Sequence, residues 1–545
     1  MATKRKGKPI WVADAETDPF KKGRVPVPFI WGCLNIETRE YKEFTDTEEF
    51  IIFITLQEPL IVYAHNGGKF DWHFITDYIA DFEPLTIING RLAKFEIGDA
   101  EFRDSYNIIP SPLSAYQKDD IDYSIFEVEE RHKPENWEKI RAYLKSDCEY
   151  LADMIEAFID EYGMNLTQAS AAMKMWSKMS GIPKPKTSDF YYEEMSRYYY
   201  GGRVQCFETG IIKKHFKVID IKSAYPYAMT HKHPWGTQFN TLDHFPDYLD
   251  DAALGRTFIT LDAASMGAFP IRDKTGLQFP DDGEVREFHI SGWEYIAARD
   301  TNTLANVNVK SCRVYLDEID FTGYVDHFFD KKQAAEQKGD KIGRLFAKLF
   351  LNSLYGKFAS NPENYEEFMT LPASMIEGSK VDGWFYCKLL GEDTAVVNRP
   401  LDEEKRRYYD VAVSASITGF VRAYLWRAIC SVETPLYCDT DSIAYSGVDN
   451  NLDFSNNLGA WEVEGQFNYG GIAGKKLYAF QKIPGTFDPK KDKPWKVASK
   501  GVKLEPSDIM DIASGATIIY EPEAPTFSIK RGSVIFTPRT IKMTK

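Results

Sequence analysis

The sequence predicts a mixed α/β protein of several domains. Three observations point there. Short β-rich runs (IWVADAE, FIWGCLNI, LIVYAHN) alternate with helical patterns over residues 9–150, which is the arrangement of an α/β domain. The chain's 545 residues suffice for about three to five domains of roughly 100–200 residues each. Apolar residues make up 43% and charged residues 27%, a globular and not a disordered composition.

No window holds the ~18 uninterrupted apolar residues of a membrane span. The best stretch, Phe50–Ala64, is interrupted by Gln57, Glu58 and Pro59. The basic N-terminus has no apolar core after it, so no signal peptide is expected. Seven scattered cysteines without a Cys-x-x-Cys pair argue against a zinc ribbon or a disulfide scaffold. A reducing cytosol is the expected compartment. The net charge, 66 − 81 = −15, speaks against a histone-like binder driven by bulk charge. It does not exclude a nucleic-acid enzyme that is basic only in a groove. Charge is uneven: nine lysines against Asp488 and Asp492 give residues 470–503 a local +7. That stretch is either a solvated face or a binding surface.

Taken in chain order, the strand Ile10–Ala13 runs into Asp14-Ala15-Glu16, and carboxylates two apart on a strand face one side. Tyr63–Asp71 ends an apolar strand and opens a predicted helix, FDWHFITDYIADF, with Asp71 at its start. Tyr143 and Asp147, four apart in a helical stretch, share a face. Residues 150–180 read as helical, and the Gly-Ile-Pro-Lys-Pro-Lys stretch at 181–186 is the expected linker. Four converging carboxylates need cations to stay ionised. Two Mg²⁺ ions would neutralise them and clamp both oxygens of a phosphoryl displacement, with Mn²⁺ as an alternative.

The second half repeats the theme. A strand over Lys217–Ile221 carries Asp220, and Pro435–Tyr445 reads as a hairpin with Asp439 and Asp441 at its tip. Between them Arg344, Lys348, Asn352 and Tyr355 fall on one face of a predicted helix, 341–356. Two cations, an amide and an aromatic there suit a triphosphate, its base and its sugar; an amphipathic surface helix is the other reading.

Together these elements resemble family B DNA polymerases. Asp14, Glu16, Asp71 and Asp147 match that family's three exonuclease motifs as metal ligands, with Tyr143 orienting the attacking water. The same resemblance implies that Thr17, Asn66, Phe70, Ser105, Tyr106 and Lys118 hold a single-stranded 3′ end. Asp-x-x-Ser-x-Tyr-Pro (220–226), Lys-x-x-x-Asn-Ser-x-Tyr-Gly (348–356) and Tyr-x-Asp-Thr-Asp-Ser (437–442) look like the polymerase motifs A, B and C, with Asp220 and Asp441 as metal ligands and Asp439 beside them. Tyr225 would lie under the sugar and reject a 2′-hydroxyl. DNA contacts are implied for Tyr199, Gly201, Gly202, Ser353, Gly356, Arg422, Lys476, Tyr478 and Lys500.

The resemblance implies an α/β (α+β) architecture. A ribonuclease-H-like 3′-5′ exonuclease domain (1–185) would be followed by a right-hand polymerase domain (186–545). Its parts would be a palm (190–260 and 410–495), fingers (about 326–357) and a thumb (about 500–545). Motifs A and B lie 348 − 220 = 128 residues apart, with room for an insertion at about 227–325; a second would occupy about 358–410. Both insertions and the motif wordings resemble the protein-primed branch of tectiviruses and podoviruses. There the first docks a terminal protein and the second closes a ring round DNA. The implied partners are template and primer DNA, dNTPs and a terminal protein, in the host cytoplasm, with no membrane and as a monomer or a heterodimer with that protein. Two alternatives stay open: the same core starting de novo or from an ordinary primer, and an inactive DNA-binding replisome protein.

Overall fold

The computed structural model describes residues 7–21, 23–245, 250–376, 380–381, 383–390, 393–406, 409–489, 492–499, 501–522, 526–528, 533–535 and 537–544. Its N-terminal part is built on the strand Ile10–Thr17. Successive side chains on a strand point to opposite faces. Accordingly Trp11, Ala13 and Ala15 enter one core with Trp31, Phe50, Trp72 and Phe95. Ile10 and Val12 enter another with Ile140, Leu144, Cys148 and Leu151 of the helix Pro134–Tyr162. The strand pairs in parallel with Ile61–Ala64 and antiparallel with Pro28–Asn35.

Two helical expectations are corrected. The stretch after Phe70 is not an α-helix but the short 3₁₀ turns Asp71–Phe74 and Thr76–Tyr78. Trp72 and Ile75 are both buried in the same core, and the non-helical backbone at Phe70 and Ile75 splits the stretch into short turns. The continuous helix expected over 150–180 is broken. Pro134–Tyr162 ends at Gly163, whose φ of +71° suits glycine. A second helix, Gln168–Ser180, starts on Thr167, whose hydroxyl accepts from the Ser170 amide. No regular structure lies between Ser180 and Asp189, where the linker was expected.

The second part is centred on an eight-stranded antiparallel sheet. Phe216–Ile221 lies between Ser442–Asp449 and Trp461–Gly474, and Val432–Asp439 joins Ser442–Asp449 to Val204–Cys206. The expected acid-tipped hairpin therefore forms. The helix Lys341–Phe358 buries Phe346, Phe350, Leu354 and Phe358 while Arg344, Lys348 and Asn352 stay exposed. Asp340 caps it by accepting from the Gly343 amide at 2.9 Å. Phe350 stacks on Tyr162 at 4.1 Å, which ties this helix to the N-terminal part.

Residues 227–325 hold a separate four-stranded sheet of His233–Leu242, Ala305–Ile319, Thr257–Ala264 and Arg286–Ser291, with the helix Gly292–Asp300. Residues 358–410 do something the sequence did not foretell. Their strand Glu366–Pro372 pairs with Pro84–Ile88, and the N-terminal sheet becomes eleven-stranded. Thr370 locks the seam: its hydroxyl donates to the Ala80 carbonyl at 2.7 Å and accepts from the Glu83 amide at 2.8 Å. Among the described residues, no helix is long and apolar enough to cross a membrane.

Candidate active sites

Asp14, Glu16 and Asp147 bring one carboxylate oxygen each within 4.8 Å of one another. The strand supplies the first two, and the helix Pro134–Tyr162 leans Asp147 across them. Asp71 joins them electrostatically from the turn that follows Phe70. The preceding turn, Gly67–Lys69, needs Gly68, where any Cβ would strike the Leu92 carbonyl and the Asp104 carboxylate. Burial, then the charges of Glu16, Asp71 and Asp147, pushes Asp14 well above the carboxylate range. Burial and Asp147 push Glu16 up to about 8, and burial takes Asp71 to about 7. One oxygen each of Glu16 and Asp147 is buried without a hydrogen-bond donor. Crowded acids with bare inward oxygens fit a divalent cation, which would relieve both defects.

Lys118 reaches Asp147 at 3.4 Å, and its ammonium lies 5.4 Å from the Tyr143 ring centroid. The Tyr143 hydroxyl is 3.1 Å from that of Tyr123, a residue 54% exposed at the edge of the site. Sequence reasoning missed Tyr123, since nothing in its local wording marks it. Asn66 accepts from Arg91 at 2.5 Å, and the Arg91 guanidinium caps the Tyr106 ring at 4.1 Å. Phe70 meets Phe20 and Phe74 edge-on. Thr17 is half-buried and donates to the Asp18 carbonyl at 3.1 Å. Ser105 is corrected: it is fully buried, donates to the Ala64 carbonyl at 3.1 Å and meets His65 at 3.0 Å. It therefore holds the Tyr106 loop and offers nothing to a strand.

In the second site Asp220 lies directly across from Ser442, and the Ile221 amide donates to the Asp441 carbonyl at 2.9 Å. Residues 220 and 441, far apart in sequence, therefore meet where the strand Phe216–Ile221 runs beside the hairpin turn. Burial, with Asp441 and then Glu464 and Glu462, raises Asp220 to about 8. Burial and Asp439 raise Asp441 to about 6. Two desolvated acids side by side again suit a cation. Asp439 is already engaged by Lys476 at 2.6 Å and by the Tyr437 hydroxyl at 3.3 Å. Tyr225 stacks flat on Tyr355 at 4.1 Å, which joins motifs A and B. Arg344 lies 3.7 Å from Glu336, with both side chains more than half exposed. The Asn352 amide folds back on the Lys348 carbonyl at 3.0 Å. Ser353 is half-buried and Gly356 exposed on the same helix.

Three further expectations change. Arg422 does not reach outward: its side chain is 1% exposed and salt-bridged to Glu294 at 2.8 Å. It is drawn inward because helix Val411–Ser431 is buried along almost its whole length. Tyr478 is only 9% exposed and stacks on Phe480. The basic stretch 470–503 is partly self-neutralised. Lys496 pairs with Glu464 at 2.6 Å and Lys482 with Asp492 at 3.6 Å, while Lys475 donates to the Leu277 carbonyl at 2.9 Å. Lys500 lies outside the described residues. Tyr199 is half-buried and Gly201 exposed, whereas Gly202 is pressed against Thr440.

Comparisons with known proteins bear on the whole arrangement. Residues 111–446 match the family of DNA polymerases type B, organellar and viral. The DNA-directed DNA polymerase of Enterobacteria phage PRD1 is 38% identical over 97% of each chain. The DNA polymerase of Bacillus phage phi29 is 24% identical over 82% of each. The solved phi29 enzyme with primer-template DNA and incoming nucleotide superposes with a TM-score of 0.72 at 20% identity. That match covers 99% of this chain and 100% of the other. A mixed α/β N-terminal part joined to an antiparallel sheet is thus a fold shared with that enzyme, and the chain belongs to the organellar and viral type B DNA polymerases.

Proposed function

We propose that this DNA polymerase extends DNA by two-metal phosphoryl transfer, proofreads in a separate 3′→5′ exonuclease site and starts synthesis on a terminal protein. The observation that carries the reading is the pair of acid clusters built around two different sheets: Asp14 and Glu16 on a strand of one, with Asp147 from the covering helix and Asp71 from a turn, and Asp220 on a strand of the other, with Asp441 from the hairpin turn beside it.

In the polymerase site Asp220 and Asp441 would hold two Mg²⁺ ions, or Mn²⁺, which supply Lewis acidity at the α-phosphate and neutralise the leaving pyrophosphate. Arg344 and Lys348, exposed on one helix face, pair with triphosphate oxygens. The flat Tyr225–Tyr355 stack supports the sugar and sets the floor against a 2′-hydroxyl. Lys476, on Asp439, is placed to hand its charge to a primer phosphate. In the exonuclease site the four acids would hold the ions, Tyr143 with Lys118 would orient a water, and Phe70 and Tyr106 would offer rings to unpaired bases.

The domain reading is 1–185 for the exonuclease and 186–545 for palm, fingers and thumb. The four-stranded sheet within 227–325 would receive the terminal protein, and 358–410 would close over DNA. The site of action is the host cytoplasm. Protein priming is supported by the two inserts at the expected motif spacings. The test incubates the polymerase, a linear terminal template and labelled dNTP with a candidate terminal protein, sought among small proteins encoded near its gene. A template-dependent covalent dNMP–protein adduct is expected. Efficient initiation on bare template without that protein would refute the priming step while leaving the polymerase assignment intact.

A further inference from the structure

We propose that Glu294 and Arg422 form a buried positioning pair that holds the catalytic turn Asp439-Thr440-Asp441 in place through the strap Tyr199–Arg203. The inference rests on the reading of that turn as the polymerase site and adds to it the device that shapes the turn.

The turn is under backbone strain. Thr440, a β-branched residue, sits at φ +61°, a left-handed conformation that such residues rarely adopt. Strain of this kind persists only where the surroundings over-determine it. The strap supplies those surroundings. The Thr440 amide donates to the Arg203 carbonyl at 2.6 Å. Gly202 backs directly onto the Thr440 side chain, so closely that a Cβ there would lie 2.7 Å from Cγ2. Val204 then pairs with Asp439 as a strand neighbour.

Two arginines anchor the strap. Arg422 donates from one nitrogen to the Tyr200 carbonyl at 2.6 Å and the Gly201 carbonyl at 3.0 Å. Its Nε meets Glu294 at 2.8 Å, and both side chains are 1% exposed. The other Glu294 oxygen accepts from the Ser291 amide and hydroxyl at 3.0 and 2.8 Å, so the carboxylate is fixed by its own helix start. Gly419, one turn before Arg422, allows the approach, because a Cβ there would strike the Ser291 hydroxyl. Arg203 is the second anchor. Its guanidinium lies 4.1 Å from the Phe279 ring centroid and 4.4 Å from that of Trp426, and it donates to the Gly267 carbonyl at 2.8 Å.

The region between motifs A and B thus grips the strap at both ends, through Glu294 and through Gly267 with Phe279. A planar fork is needed to serve a carboxylate and two carbonyls together, which a lysine ammonium at 422 does not reproduce. Arg422 acts through the strap and not on DNA.

The test uses the full chain and single-nucleotide insertion on a primer–template. Glu294→Gln, Arg422→Lys and the double variant Glu294→Gln/Arg422→Met are compared for kcat, dNTP KM, primer–template Kd and Tm. Expected is a kcat loss of roughly tenfold or more, with KM and Kd within about twofold. The double variant leaves no buried charge unpaired. It should recover Tm relative to the singles while kcat stays low. Full kcat in a folded double variant overturns the proposal. A Kd loss that steepens with salt at unchanged kcat also overturns it, since that is the signature of a direct phosphate contact. Asp441→Ala is run alongside. If it still synthesises DNA, the catalytic reading fails; if it is dead while the Glu294 and Arg422 variants are fully active, only the positioning role fails.

Discussion

At the scale of single residues, the two acid clusters predict separable losses. Asp441→Ala removes a carboxylate that burial and Asp439 already hold in a costly state. Primer extension should fall by roughly a thousandfold or more, as expected for losing a metal-held transition state. DNA binding by gel shift should change little. Asp14→Ala should abolish 3′→5′ digestion of a labelled single strand and spare extension, because Asp14 belongs to the other sheet. Loss of both activities in either variant would deny the separation. The acids were legible in the sequence because their spacing within strands and turns is local. Ser105 and Arg422 were misjudged because a motif fixes residue type and not burial. Glu294 reads locally only as the end of a Ser-x-x-Glu helix cap; its pairing with Arg422, 128 residues away, leaves no local signal.

Secondary-structure elements bring their own titration. Asp410 starts the helix Val411–Ser431, is 1% exposed, and is raised by burial to about 7. The unfolded chain would ionise this carboxyl near 3.9, its usual value. Below that both states are protonated and the protein keeps the full benefit. As pH rises toward 7 the unfolded state gives up its proton first, so stability falls across that window and levels off above it. Asp410→Asn cannot ionise. Urea unfolding between about pH 4.5 and 7.5 should therefore show a flatter decline for the variant than for the parent; parallel declines would exclude this role. The helix Lys341–Phe358 was legible from its i, i+4 spacing. The 3₁₀ turns after Phe70 were not. Clustered aromatics are compatible with a helix, and no residue in the stretch marks the non-helical backbone at Phe70 and Ile75 that breaks it.

For the whole molecule, the unforeseen feature is the seam between Pro84–Ile88 and Glu366–Pro372. Pairing across nearly three hundred residues leaves no local trace, so the sequence indicated an insertion and not where it docks. Thr370→Val keeps the shape and strands the Glu83 amide and Ala80 carbonyl, at a cost of about 1–3 kcal/mol. Hydrogen exchange at the Phe82, Glu83 and Thr370 amides should quicken by roughly tenfold, with protection elsewhere unchanged. Unaltered exchange there would show that the seam does not depend on this hydroxyl. The same seam bears on any attempt to excise a free-standing nuclease. A fragment stopped at residue 185 would lose Phe368, Leu390 and Val396 from its core and bare the outer rim of Pro84–Ile88. A raw β-rim of that kind recruits copies of itself, so the smallest well-behaved nuclease must borrow its last strands from beyond the linker.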